Sequence, residues 1–423
     1  MSSNTPTTPT ATTPDKHPIS DETREKHVDW LMGLTQIPTA AGKEHRVIAW
    51  IDRWLTGRSG IEKRVDAHGN IELSLGGAPK TDHPVYFTAH LDHPAFVVEQ
   101  ITNPTELILS FRGGVMSDYF PDAPIRVYTD DDRYATATIS EEHDPDGKEW
   151  SETEERPFKM YCARSEEPHG ASVGDVGTWV LPDAQIIDDE FGGIIHTNAC
   201  DDLAAVAAAL CAFDEIRMAQ DNGAAKNDVR VLFTLAEEIG FVGAIGASRD
   251  GFMPKGSRII ALENSRAFPD SPIHGGPIVR VGDRISVFSP ELTGAVAKVA
   301  ERIAGGPALP KASEKMSDMP TWKWQRKLMA GGACEASVYC AYGYTSTCVC
   351  LPLGNYHNMA GLAEAQAGTH EGTPRVGREY VGIDDFHGMV DLLIGCGMDL
   401  PQSPGFMERV EKLREGRKFV IGS

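Results

Sequence analysis

Two histidines, three glutamates and three aspartates stand where runs of buried-strand type give way to other structure. His90 and Asp92 follow the run Val85–Ala89, and Asp201-Asp202 precede an alanine-rich helix. Glu237-Glu238 follow Val231–Ala236, Glu263 follows Ile259–Leu262, and His357 follows Cys348–Gly354. In an open α/β sheet the carboxyl ends of the strands line the ligand crevice, so acids and imidazoles at several such ends converge on one pocket. Taken singly each has a plainer reading: a capping histidine, an N-cap with helix-dipole support for the aspartate pair, a solvated loop for the glutamate pair. Their joint placement is what points to chemistry. Mixed imidazole and carboxylate donors suit Zn²⁺, Co²⁺ or Mn²⁺. One carboxylate can bridge two ions, and two ions ~3.5–4 Å apart form the two-metal hydrolase arrangement. A further carboxylate is then free to act as general base toward metal-bound water.

The elements that must position these residues have an α/β, then β, then α/β texture. Asp21–Gln36 reads as a helix ending before Pro38, and a second helix after Gly42 carries Val47, Ile48, Ile51, Trp54 and Leu55 on one face. Val65–Leu75 holds a Gly-Asn turn between short alternating segments, and Val85–His90 is a buried parallel strand. From about Gln100 to Asp189 the runs shorten: Leu107–Arg112, Ile125–Thr129, Tyr134–Ile139 and Gly177–Leu181, with a charged stretch from Glu141 to Arg156 expected as a solvated loop. Helix and buried-strand patterns then return in Ala204–Ile216, Val229–Ala236, Arg258–Glu263, Ala295–Ile303 and Thr347–Pro352. The expectation is an α/β fold with a central mixed, mostly parallel sheet flanked by helices and a small inserted all-β domain. The boundaries expected are a disordered tail over 1–20, a discontinuous α/β domain from 21–99 and 190–423, and a β-rich insertion over 100–189.

Composition removes several other classes. Among 423 residues, 41% are hydrophobic and 24% charged, enough for a sizeable core and unlike a collagen or coiled coil. Sixty-one acidic residues against 40 basic ones leave a net charge of −21, which argues against nucleic acid and favours a cationic ligand. Eight cysteines at irregular spacings, with no C-x-x-C, are not a disulfide framework; Cys348 and Cys350 share one strand face as small buried hydrophobes. Met1 to Pro14 is rich in Thr, Pro and Ser without an apolar h-region, and the longest apolar run, Leu203–Phe213, is far shorter than the ~20 residues of a membrane span. A cytoplasmic protein without a membrane partner is expected.

The ordered segments FTAHLDHPAF (87–96), ACDDLAAVAAAL (199–210), TLAEEIGFVGA (234–244), ALEN (261–264) and NYHNM (355–359) resemble the motifs of the co-catalytic zinc aminopeptidases. The likeness is to the glutamyl, or deblocking and tetrahedral, aminopeptidase family. LTQIPTAAGKEHRV (34–47) resembles that family's opening helix-turn, and VGDVGTWVLP (173–182) the end of its inserted domain. The resemblance implies that His90 and Glu263 bind one metal, Glu238 and His357 the other, and that Asp201 bridges both. It gives Glu237 the role of base, with Asp92 orienting His90, and it implies a cis bond between Asp201 and Asp202. Two divalent ions, foremost zinc with cobalt or manganese as substitutes, peptide substrates and a homo-oligomer built partly through the insertion are further implications. Three departures stand out: Leu203 where the family commonly has Arg, Gly354-Asn355 where it often has Arg before the Tyr, and Glu263 where many members have Asp.

Other motifs do not survive their context. Gly170-Ala-Ser172-Val-Gly174 matches a nucleophile elbow but has no strand before it and no helix after it. Glu237-Glu238 are too close in sequence to flank a sugar, and Gly240, Gly243 and Gly246 lack dinucleotide-fingerprint spacing. The expected activity is removal of N-terminal residues from short peptides; the alternatives are an amide deacylase or carboxypeptidase of related chemistry and a non-catalytic metal-binding scaffold.

Overall fold

The computed structural model describes residues 19–77, 80–143, 158–221, 227–308, 322–403 and 405–421. The tail over 1–18 and most of the charged stretch after Glu141 lie outside the described residues.

The chain begins with α1 (Asp21–Leu34), capped by the Ser20 hydroxyl, and α2 (His45–Leu55). The hairpin β1 (Ile61–Val65) and β2 (Ile71–Leu75) then leads to β3 (Val85–His90). Six strands follow: β4 (Ala95–Asn103), β5 (Glu106–Arg112), β6 (Pro124–Tyr128), β7 (Tyr134–His143), β8 (Lys159–Arg164) and β9 (Val176–Trp179). They close into a barrel in the order β4-β5-β8-β7-β6-β9. Its interior is aromatic, with Phe96, Phe111, Phe120, Tyr161 and Trp179 packed together. The short strands β10 (Gln185–Ile187) and β11 (Ile194–Thr197) lead back to helix α3 (Leu203–Asp221).

The rest alternates: β12 (Val229–Thr234), α4 (Val242–Arg249), β13 (Arg258–Arg266), β14 (Ile278–Gly282), α5 (Pro290–Ala304), β15 (Gln325–Leu328), α6 (Glu335–Ala341) and β16 (Thr345–Leu353). After α7 (Leu362–Ala367) come β17 (Glu379–Gly382), α8 (Ile383–Asp399) and α9 (Phe406–Arg417), the last with no buried residue.

The large sheet has eight strands in the order β1-β2-β12-β3-β13-β16-β14-β15. Four of its seven pairings are parallel: β12 with β3, β3 with β13, β13 with β16, and β14 with β15. It is thus a mixed sheet with its parallel strands at the centre. Side chains alternate across it. Val85, Phe87 and Ala89 of β3 join a core with α1, α2, α3, α5 and α8, while Tyr86 faces the opposite core with α4 and α6. Cys348 and Cys350 lie together in that second core, as the strand pattern requires. Ala204 through Ala209 are all fully buried, and these small side chains let α3 approach the sheet and α8 closely.

Two strand ends differ from the sequence expectation. β12 stops at Thr234 rather than Ala236, because the next amide, Leu235 N–H, donates to Asn70 Oδ1 at 3.1 Å instead of to a strand partner. β13 runs on past the expected end at Glu263 to Arg266 along β16, so Glu263 lies inside the strand. Its pairing with β3 ends at Ala261–Thr88, so Glu263 faces the space left where β3 diverges.

Candidate active site

His90 is the last residue of β3 and stands opposite Thr234 of β12. Its Nδ1 faces the Asp92 carbonyl at 3.2 Å and the Asp92 carboxylate at 3.4 Å, which leaves Nε2 turned inward. That Nε2 lies 3.4 Å from Asp201 Oδ1, 3.8 Å from Glu263 Oε1 and 3.9 Å from Glu237 Oε2. His357 shows the same logic. Its Nδ1 donates to the Gly114 carbonyl at 2.6 Å, and its Nε2 stands 3.5 Å from Asp201 Oδ2 and 3.4 Å from Glu238 Oε1. A histidine tied at Nδ1 has its Nε2 oriented to serve as a ligand.

The residues expected from the sequence therefore come together: His90, Asp201 and Glu263 on one side, Glu238 and His357 on the other, with the two Asp201 oxygens facing opposite ways. Two groups of potential ligand atoms share Asp201 in this manner. Asp202 is also near, but its oxygens are engaged, accepting from Asn264 Nδ2 at 2.7 Å and from the His90 amide at 3.3 Å. The peptide bond between Asp201 and Asp202 is cis, as the resemblance implies.

The loop carrying Glu237 and Glu238 is held by side chains. Ala236 N–H donates to Glu44 Oε1 at 3.0 Å, Glu237 N–H to Asp92 Oδ1 at 2.9 Å and Glu238 N–H to Asp92 Oδ2 at 3.0 Å. With Leu235 on Asn70, four consecutive amides point at side-chain oxygens rather than at a neighbouring strand. The left-handed φ of Ala236 (54°) is the turn this allows. Adjacent glutamates, which a continuing strand would send to opposite faces, are thereby both brought into the pocket. Asp92 thus positions the two glutamates as well as His90.

Sequence reasoning missed Glu379, a fully buried glutamate on β17. Its Oε2 accepts from the amides of Cys200 at 2.6 Å and Asp201 at 3.0 Å, and its Oε1 from the amide of His357 at 2.7 Å. It ties Asp201 to the loop on which Asn355, His357 and Asn358 all have left-handed φ. No local motif marks it. Glu44, also missed as a site residue, at least falls within the segment 34–47 that carries the resemblance.

The electrostatics favour cations. Burial raises the Glu237 and Glu238 pKa values well above the usual carboxylate range, and neighbouring carboxylates add to the effect. Burial and Asp201 push Glu263 up to about 7. Burial alone would lower His90, but Glu237 and the surrounding acids raise it well above its ordinary value. A site that must protonate its acids or charge its imidazole to tolerate itself lacks positive charge.

A direct test of fit for metal comes from the hydrogen bonds. Asp201 Oδ1, Glu238 Oε1 and His357 Nε2 are buried without a hydrogen-bond partner. Orphaned buried acceptors are costly unless something else fills them. The 3.4–3.5 Å separations of the two histidine nitrogens from Asp201 and Glu238 are too long for good hydrogen bonds. They suit tetrahedron edges of ~3.3 Å, which follow from metal–ligand bonds of ~2.0–2.1 Å. The residues present fit divalent ions. They open on a cavity of about 590 Å³ lined by Asp201, Glu237, Glu238, Glu263 and His357, with Arg266 and Arg280 in its wall.

A model of the M42 glutamyl aminopeptidases matches residues 69–304, more than half of the chain. The chain belongs to the M42 glutamyl aminopeptidase family. This M42 member is accordingly a metalloaminopeptidase, a hydrolase of peptide N-termini. Its fold is similar to that of the TET1 peptidase of Pyrococcus horikoshii (TM-score 0.65, 18% identity, covering 88% of this chain and 100% of that one), whose structure is described as assembling into a tetrahedron or a large octahedral shell. It is also similar to an aminopeptidase from the archaeon Desulfurococcus kamchatkensis (0.66, 17%, 92% and 98%) and to a TET aminopeptidase from a marine-sediment thaumarchaeote (0.65, 20%, 92% and 99%). No curated protein sequence matches this M42 member. Among its described residues no helix is long and apolar enough to cross a membrane.

Proposed function

We propose that the chain is a two-metal aminopeptidase that removes N-terminal residues from short peptides, with Glu237 as general base. The observation that carries this reading is the set of orphaned buried acceptors on Asp201, Glu238 and His357 beside the His90–Glu263 pair. His90, Asp201 and Glu263 would hold one divalent ion, and Asp201, Glu238 and His357 the other. Such ions, zinc foremost and cobalt or manganese by the same donor set, supply Lewis acidity to the scissile carbonyl and lower the pKa of water.

The chain's own residues do the rest. With Asp201, Glu238 and Glu263 assigned to the ions, Glu237 is the carboxylate left over, and its Oε2 lies in the same pocket, 3.9 Å from His90 Nε2. It is therefore the acid left to take a proton from the attacking water and deliver it to the leaving amine. Asp92 holds both Glu237 and Glu238 by their amides, so the base and a ligand move together. Arg280, buried with its Nε unpartnered and Nη1 on Ser265 Oγ at 3.1 Å, together with Arg266 supports an acidic first residue, in keeping with the family's glutamyl description.

Three organisational readings go with this. The barrel would be an inserted unit, running from β4 at Ala95 to β9 at Trp179 rather than over the expected 100–189, with the chain on either side as the catalytic domain. Closure of the barrel between β3 and β12 in chain order supports that division. The assembly described for the Pyrococcus horikoshii peptidase supports a homo-oligomer, which light scattering at micromolar concentration would reveal. Eight free cysteines support the reducing cytoplasm.

The test is an assay of purified, metal-loaded protein against aminoacyl, N-acyl and C-terminal substrates. Hydrolysis confined to free N-termini, strongest on acidic residues and abolished by chelation, is expected. Cleavage of N-acyl substrates alone would replace the reading with a deacylase, and no turnover with full metal content would leave a scaffold.

A further inference from the structure

A second cavity, of about 230 Å³, opens on the barrel side of the metal-binding residues. Glu238 lines both it and the large cavity. The partition between them is the segment that leaves β5, with Gly113 and Val115 on the small cavity and Gly114 on the large one. Gly113 has a φ of 143°, and a Cβ there would sit 2.6 Å from Pro94 Cβ, so only glycine lets the segment pass this close. The Gly114 carbonyl in turn grips His357. The barrel is thereby fastened against the reacting centre, and the two cavities meet at one ligand.

Their chemistry differs. Asp201, Glu237 and Glu263 line only the large cavity, which makes it the place for a substrate's free ammonium. The small cavity is walled by Phe111, Phe120, Val115 and Ile239, with Phe158 and Lys159 at its rim. Phe111 and Phe120 are nearly buried and meet edge to face at 4.9 Å within the barrel core, so the floor is rigid. Phe158 is 39% exposed. Among the described residues lining the small cavity Lys159 is the one cation, and its ammonium is already engaged by Ser117 Oγ at 2.9 Å and Glu142 at 3.5 Å.

We propose that this small cavity is the subsite for the residue following the scissile bond, and that it selects an apolar, preferably aromatic, side chain there. The proposal rests on the aminopeptidase reading above, because it needs the first residue in the large cavity and the scissile carbonyl near Glu238. The barrel thus reads the second residue of a peptide while the sheet reads the first.

The experiment uses the metal-loaded full chain and two tripeptides that share the best first residue and carry Phe or Gly second. The parent enzyme should favour the Phe peptide in kcat/KM by about 10-fold, the scale of an apolar pocket's discrimination. Phe158→Ala should reduce that ratio to about twofold. Phe158→Leu, which keeps an apolar rim, should restore most of the preference. Equal kcat/KM for the two peptides in the parent, or an unchanged ratio in Phe158→Ala, would overturn the subsite alone. If neither peptide nor any other free N-terminus were cleaved, the aminopeptidase reading would fall first and take the subsite with it.

Discussion

Among the described residues two clusters of histidine and carboxylates have the spacing to hold an ion, and only one has the character of a metal centre. In the second, His274 Nδ1 lies 2.6 Å from Asp384 Oδ1 and Nε2 lies 2.9 Å from Asp189 Oδ2. Asp385 accepts from the His274 and Gly276 amides at 2.6 Å each, and Lys323 Nζ reaches the His274 carbonyl at 2.7 Å and Asp384 at 3.5 Å. Both ring nitrogens face carboxylates and a lysine supplies positive charge, so much of the carboxylate charge in this cluster is offset from within. At the His90–His357 cluster both histidines spend Nδ1 on backbone carbonyls, no lysine or arginine among the described residues pairs with Asp201, Glu238 or Glu263, and acceptors stay unfilled. Residue types alone do not separate the two, although both present their ligand atoms within reach of a single ion. What separates them is charge: at His274, where Nε2 also lacks a well-aligned hydrogen bond, Lys323 offsets the carboxylates, and no such cation among the described residues pairs with the His90–His357 carboxylates.

The largest effect that would sharpen this contrast comes from the base. Glu237→Gln keeps shape and hydrogen bonding but removes the proton acceptor, so kcat should fall ~10²-fold or more while metal content stays at the parent level. Near-parent kcat on a good substrate would give the base role to another group. Glu238→Ala should instead cost an ion; retention of both would remove Glu238 from the ligand set.

Glu379→Gln is expected next. It leaves every ligand in place but weakens the hold on the Asp201 and His357 amides, and a partner one step removed from a metal is commonly worth ~10–100-fold in affinity. A zinc titration of the chelated protein should show that loss, with kcat recovered at saturating metal. Unchanged affinity would reduce Glu379 to a purely structural residue.

The His274 cluster should answer to pH and not to metal. Burial lowers the His274 pKa, but Asp384 and the other carboxylates outweigh this and raise it, so the folded state binds the proton more tightly than the unfolded one. The resulting stability is fully present below the ordinary histidine pKa and is lost as pH rises through the raised folded value. His274→Gln should therefore cost about 2 kcal/mol in denaturant unfolding at pH 6, and less at high pH. A cost independent of pH, or a fall in metal content, would break the distinction between the clusters.

Much of this was legible in the sequence because long apolar runs and their punctuation report directly on burial. The runs leading to His90, Glu237 and Glu263 are such cases, and β3, β12 and β13 carry them. The Glu237–Glu238 turn was partly legible: adjacent acids with one job each demand a break in the strand, but the partners that make it, Asn70, Glu44 and Asp92, lie far back in the chain. Glu379 was illegible for the same reason, since its contribution consists of amides 22 and more than 170 positions away. The start of the barrel was also obscured. β4 begins at Ala95 as a fully buried run, like the sheet strands before it, and becomes exposed only from Glu99 onward.

The most direct test of the central claim is anomalous diffraction at the zinc edge from crystals of the zinc-loaded chain. Two peaks are predicted, one among His90, Asp201 and Glu263 and one among Asp201, Glu238 and His357, with none at His274. No density between those residues, or a peak held by His274, Asp384 and Asp385 instead, would contradict the account.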